Sequence, residues 1–276
     1  LSEQPRPEIG TLVVANGIRT NYLEAGVGAA VVLVHGSGPG VTAYANWRLT
    51  IPRLASKLRV LAPDMVGFGF TERPERISYG LDTWVSQLVG FLDALGLEQA
   101  SVVGNSFGGA IALRLTARYP DRVDRLVLMG SAGVPFELTP GLDAVWGYQP
   151  SVPAMRRLLD IFAHDRSLVD DELAEVRYRT SVEQGFQEAF EQMFPAPRQR
   201  WVDSLVTPDA ELSVLPHRTM IVHGREDAVI PLSNSLHLMS TIPNSRLHVF
   251  GHCGHWTQIE QEDAFASLAV DFLTAP

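Results

Sequence analysis

A series of short apolar runs without polar alternation constrains this chain most. They are Val31–Val34, Arg59–Ala62, Ser101–Val103, Arg125–Met129, Met220–Val222 and Arg246–Phe250. A strand with one wet face alternates polar and apolar residues, whereas a strand covered on both faces does not. Helical patterns fall between the runs, most clearly at Thr83–Leu95 and at Phe107–Arg118, which stops before Pro120. This alternation predicts the α/β class, a mostly parallel sheet flanked by helices on both faces. Two further runs, Thr11–Val14 and Arg19–Ala25, surround an Asn16-Gly17 turn and predict a hairpin. The expected sheet is therefore eight-stranded.

The alternation fails between residues 135 and 216. That stretch carries amphipathic helical patterns at Met155–Ala163, Asp171–Ser181 and Gln184–Phe194, and Pro-rich punctuation around Pro195 and Pro197. Roughly 80 residues is too long for one crossover connection. The expected division is a core of residues 1–134, a helical lid of 135–216, and the rest of the core in 217–276.

Composition excludes some functions. The chain has 31 acidic and 22 basic residues, a net charge of −9, and no basic run. A nucleic-acid partner needs concentrated Lys and Arg, so none is expected. No segment reaches the ~18–20 apolar residues of a membrane span, so no membrane partner is expected either. The single cysteine, Cys253, precludes an intramolecular disulfide and fits a reducing cytoplasm. Leu1–Gly10 reads as a short frayed leader and not as a signal peptide.

Gly104-Asn105-Ser106-Phe107-Gly108 is a G-x-S-x-G pattern between an apolar run and a helix. Such a sharp strand-to-helix turn exposes a serine hydroxyl at a helix N-terminus and requires small neighbours. Ser106 is the candidate nucleophile. A serine needs a base, and in this arrangement the order along the chain is serine, acid, histidine. His255 follows the run Arg246–Phe250 in a loop, beside Gly254; His252 is its competitor. Asp227 follows Met220–Val222 in a loop and is the candidate orienting acid, with Glu226 as the neighbour to exclude. The expected oxyanion donors are the amides of Phe107 and Ser37, the latter in the loop His35-Gly36-Ser37-Gly38-Pro39-Gly40. His35 ends a buried run and is expected to be structural. His252, Cys253 and His255 lack a second ligand cluster, so no metal is expected, and no cofactor.

From about Ile9 to Leu273 the chain resembles the meta-cleavage product hydrolases, carbon–carbon bond hydrolases of the α/β-hydrolase superfamily. The resemblance rests on the loop 35–40 with Ala45-Asn46-Trp47-Arg48, and on Pro63-Asp64-Met65-Val66-Gly67-Phe68-Gly69. It also rests on Gly104-Asn105-Ser106-Phe107-Gly108-Gly109, Trp146-Gly147-Tyr148 and His252-Cys253-Gly254-His255-Trp256. It is narrowest toward 2-hydroxymuconate semialdehyde hydrolases and other monoalkyl-type enzymes. It implies the α/β-hydrolase fold and a substrate of the 2-hydroxy-6-oxo-hexa-2,4-dienoate type. The implied products are 2-hydroxypenta-2,4-dienoate and a carboxylic acid. By similarity, Arg177 supplies a cation for the substrate carboxylate, with Arg179 as the alternative. Gly38, Asn46, Asn105 and Trp256 join it in binding the substrate. Leu142, Trp146, Ile161, Phe162 and Val229 are expected to line the pocket for the carbon-6 substituent, which should be hydrogen or a small alkyl group. A homo-oligomer is implied. The rival readings are a carboxylesterase or lactonase with the same three residues, and a ligand-sensing receptor on the same fold.

Overall fold

The computed structural model describes residues 6–275. Residues 1–5 of the expected leader, and residue 276, lie outside the described residues. Strands β1 (Thr11–Ala15) and β2 (Ile18–Ala25) form the expected hairpin, with Ala15 opposite Ile18. Asn16 and Gly17 both adopt positive φ, 47° and 81°, the conformation that two-residue turns of type I′ require. The other strands are β3 (Ala30–Val34), β4 (Arg59–Pro63), β5 (Ala100–Asn105), β6 (Val123–Met129), β7 (Arg218–Gly224) and β8 (Ser245–Phe250). They form one eight-stranded sheet in the order β1-β2-β4-β3-β5-β6-β7-β8. β2 runs antiparallel to both its neighbours, and every later pairing is parallel.

The missing polar alternation now has its cause. Val32, Val34, Val102 and Leu128 point into one apolar layer, while Val31, Leu33, Val103 and Val127 point into the other. The first layer is completed by Trp84, Leu88 and Phe91 of α3 (Leu81–Ala94) and by Ile111 and Leu115 of α4 (Phe107–Arg118). The second is completed by Trp47 of α1 (Ala43–Trp47), Leu54 of α2 (Thr50–Leu54), and Phe265 and Phe272 of the last helix, Glu262–Thr274. Each fully buried side chain of this size contributes about 1.5–3 kcal/mol through the area it removes from water.

Between β6 and β7 the chain forms α5 (Pro140–Trp146), α6 (Val152–Phe162), α7 (Asp171–Ser181), α8 (Phe186–Met193), α9 (Gln199–Ser204) and α10 (Asp209–Leu212), with no strand among them. Ser151 caps α6 by accepting from Ala154 N at 3.1 Å, and Met155, Leu158, Leu159 and Phe162 make its buried stripe. After β7 come α11 (Leu232–Thr241), β8, α12 (Thr257–Glu260) and α13 (Glu262–Thr274). No helix among the described residues is long and apolar enough to cross a membrane.

Candidate active site

β5 ends at Asn105 and α4 begins at Phe107, so Ser106 alone makes the turn. Its φ and ψ are 56° and −116°, a region that non-glycine residues occupy only under constraint. The constraint is visible. Ser106 N donates to Met129 O at 2.8 Å, and Ser106 O accepts from Gly109 N at 3.0 Å and Ala132 N at 3.1 Å. A Cβ at Gly104 would lie 2.5 Å from Gly108 O, and one at Gly108 would lie 2.3 Å from Val34 O. Both are backbone atoms that cannot move aside, which is why the pattern needs glycine on both sides of the serine.

Asp227 and His255 stand on loops after β7 and β8. The His255 Nδ1–H donates to Asp227 Oδ2 at 2.7 Å. Asp227 Oδ1 accepts from the amides of Val229 at 2.7 Å and Ile230 at 2.9 Å. Burial acts to raise the Asp227 carboxyl, but His255, His223 and the Ile230 amide outweigh it and hold it below its ordinary value. The imidazole is therefore fixed with Nε2 as its remaining atom, in a cleft that both His255 and Ser106 line. Glu226 faces elsewhere, accepting from Cys253 N at 3.0 Å. His252 is exposed, at positive φ, with its ring 5.9 Å from that of His164. His223 accepts from the Ser235 hydroxyl at Nδ1 (2.6 Å) and donates from Nε2 to Ile230 O (3.0 Å), and burial lowers its pKa. His35 is likewise a buried neutral ring, pushed down to about 4 by burial. Its Nδ1–H donates to Gly36 O at 2.8 Å and its Nε2 accepts from Met65 N at 2.9 Å.

The loop 35–40 passes over the serine. Gly36 N donates to Asn46 Oδ1 at 3.2 Å, and Asn105 Nδ2 donates to the same oxygen at 3.0 Å. Asn46 thus ties the loop to the strand end, and leaves Asn46 Nδ2 and Asn105 Oδ1 buried without partners. Phe107 is the first residue of its helix, where an amide has no partner within the helix. The side chain of Ser37 is also held: Trp146 Nε1 donates to its Oγ at 2.9 Å.

The cleft has two chambers. The inner one, about 40 Å³, is lined by Gly36, Ser37, Gly38, Asn105, Ser106 and His255, by Leu142 and Val145 of α5 and Phe162 of α6, and by Val229 from the loop after β7. The outer one, about 260 Å³, is bordered by Arg48, Leu168, Leu173 and Gln258 among others. Val41, Asn46, Arg177 and Trp256 border both. Arg177 stands on α7 with its Nε buried and unpartnered. No carboxylate pairs with it among the described residues, and burial with the nearby Arg48 charge pushes its pKa down to about 10. Arg179, by contrast, is exposed and bound to Glu175 at 3.0 Å. The Trp256 ring stacks on Phe162, 5.3 Å between centroids.

Two expected pocket residues lie elsewhere. Ile161 lines a separate groove with Ala144, Tyr148 and Leu158, because helical periodicity turns Phe162 inward and Ile161 away. Trp146 does not border the inner chamber; it stands behind Ser37 and stacks on Phe194 at 4.4 Å. Val145 fills the expected place.

Sequence inspection also passes over Glu260. Its Oε2 accepts from His164 N at 2.9 Å and Asp165 N at 2.8 Å, and its Oε1 accepts from Gly254 N at 2.7 Å. His255 N donates to Phe162 O at 2.8 Å. The end of α6 and the histidine loop are therefore joined both directly and through the Glu260 carboxylate. A Cβ at Gly254 would lie 2.7 Å from Phe162 O, so this joint closes only around glycine. The spacing of Glu260 from His255 is its only trace in the sequence.

Comparison with known proteins agrees with this geometry. The family described as alpha/beta hydrolase fold matches residues 29–262. A 2-hydroxymuconate semialdehyde hydrolase of Pseudomonas sp. (strain CF600) is 62% identical over 98% of this chain and 95% of its own. A 2-hydroxy-6-oxo-2,4-heptadienoate hydrolase of Pseudomonas putida is 62% identical over 97% of each chain. Among solved structures, a meta-cleavage product hydrolase from Pseudomonas fluorescens IP01, a serine-to-alanine mutant complexed with acetates, superposes with a TM-score of 0.96. It is 59% identical and covers 97% of this chain and 98% of that one. With relatives this similar over nearly their whole length, the chain belongs to the α/β-hydrolase fold family and, within it, to the meta-cleavage product hydrolases.

Proposed function

We propose that this protein hydrolyses the carbon–carbon bond beside the 6-oxo group of 2-hydroxy-6-oxo-hexa-2,4-dienoates in aromatic catabolism. One observation carries the reading to these residues: the unpaired Arg177 guanidinium borders the same chamber as Ser106 and His255. An ester needs no buried cation, whereas a dienoate brings a carboxylate to one.

In the proposed reaction the carboxylate rests on Arg177, with Asn46, Asn105 and Trp256 around the head of the substrate. The dienol first takes a proton at carbon 5 and loses its hydroxyl proton, becoming the 2-oxo form. His255 Nε2 then takes the Ser106 proton as Ser106 Oγ bonds to carbon 6, and Asp227 stabilises the imidazolium. The oxyanion faces the amides of Ser37 and Phe107. The bond between carbons 5 and 6 breaks, its electron pair leaving as a dienolate that is protonated to 2-hydroxypenta-2,4-dienoate. Water, deprotonated by His255, then releases the acid from Ser106. The inner chamber is small, and its apolar wall of Leu142, Val145, Phe162 and Val229 supports hydrogen or small alkyl at carbon 6.

The test is loss of visible colour when the protein meets the ring-cleavage products of catechol, 3-methylcatechol and 3-isopropylcatechol. The first two should be consumed faster than the third. No consumption of any, with rapid cleavage of a nitrophenyl ester, would sink the proposal. We also propose a homo-oligomer. Its support is the exposed apolar surface of Leu236 and Met239 on α11 beside Val249 on the edge strand β8. Light scattering giving the mass of one chain would overturn it.

A further inference from the structure

The outer chamber contains a second cation that the reaction above does not use. Arg48 ends α1 and borders this chamber together with Arg177. Its Nη1 donates to Ala45 O at 3.0 Å, which anchors the guanidinium, and no carboxylate pairs with it among the described residues. The acid at the rim, Glu262, is engaged by Arg53 at 3.3 Å. Arg48 is close enough to Arg177 to disfavour its charged form. Two unpaired like charges facing one chamber raise the free energy of the empty cleft, and an anion entering between them relieves it.

One carboxylate answers one guanidinium. The proposed substrate, however, carries a second acidic group. Its 2-hydroxyl is conjugated through the diene to the 6-oxo group, so it is a vinylogous carboxylic acid whose anion spreads over both oxygens. Next to the chamber, Asn46 Nδ2 is a buried donor without an acceptor. Two cations and a free donor suit a dianion better than a monoanion.

We infer that Arg48 is a second substrate-binding cation, which with Arg177 draws the dienoate into the cleft as its dienolate dianion. The inference rests on the proposed reaction, and its test separates the two. The ring-cleavage product of 3-methylcatechol is titrated into Ser106→Ala protein, and the visible spectrum of the bound ligand is followed against pH. The bound ligand should keep its dienolate colour to lower pH than the free ligand. Adding Arg48→Gln should weaken binding about tenfold and move the colour midpoint up by about one pH unit. Arg48→Lys, which keeps the charge, should recover most of both changes. Unchanged affinity and midpoint in a folded Arg48→Gln protein would overturn the inference and leave the reaction standing. So would failure of lysine to recover either quantity, because the effect would then be packing. No binding to Ser106→Ala protein at all would overturn both.

Discussion

Replacing Ser106 by alanine is expected to lower dienoate hydrolysis about ten-thousand-fold or more while leaving the dienoate bound. Removing the nucleophile of a serine–histidine–acid set has effects of this order, ~5 kcal/mol at about 1.4 kcal/mol per decade. Binding should survive because the cation and the loop donors are untouched. The fold should survive as well, because the bonds holding the turn all use backbone atoms of residue 106. Ser106→Gly sharpens the experiment. Glycine adopts φ of 56° without strain, so this variant should be equally inactive yet more stable by about 1 kcal/mol. Single-turnover rates and thermal unfolding of the two variants check both halves. Retention of more than about one hundredth of the rate in either would remove Ser106 from the chemistry.

The second large effect is expected at Arg177. Arg177→Met should lower kcat/KM for dienoates by about a hundredfold or more, since truncating one side of a buried charge pair costs about 2–5 kcal/mol. Turnover of a small neutral ester should fall far less. The free protein should at the same time unfold at a temperature about 2 °C or more higher. An unpaired, partly dehydrated cation is a burden until its ligand arrives, and methionine fills similar space without it. Equal losses on dienoate and ester would mean that Arg177 merely supports the packing of α7.

Much of this was legible in the sequence because it is written in local terms. The eight strands show as runs, the hairpin as Asn16-Gly17, and the turn at Ser106 as its flanking glycines. Ser106, Asp227 and His255 could be chosen from chain order and loop position; Ser106 and His255 line one chamber, and His255 is hydrogen-bonded to Asp227 behind it. What escaped depends on direction or on distant partners. Ile161 and Phe162 are neighbours in sequence, yet a 100° step per residue sends only one inward. The helices α9 and α10 are too short to show a repeating face. Arg48 gains its place only in three dimensions, where Leu168, Leu173, Trp256 and Gln258 border the same chamber. Gln258 carries no mark in the sequence, yet it is 2% exposed and props Asn46 by donating to its backbone carbonyl at 3.3 Å.

The joint between Phe162, Glu260 and the histidine loop bears on redesign. Phe162 offers its ring to the substrate chamber and its carbonyl to His255 N, so one residue belongs to both selectivity and proton transfer. Enlarging the pocket by moving α6 drags the imidazole with it, and variants selected for bulkier ketones will lose turnover on small ones for geometric reasons. Widening from Leu142, whose amide bonds to Thr139 and not to that loop or to Asp227, separates breadth of substrate from speed.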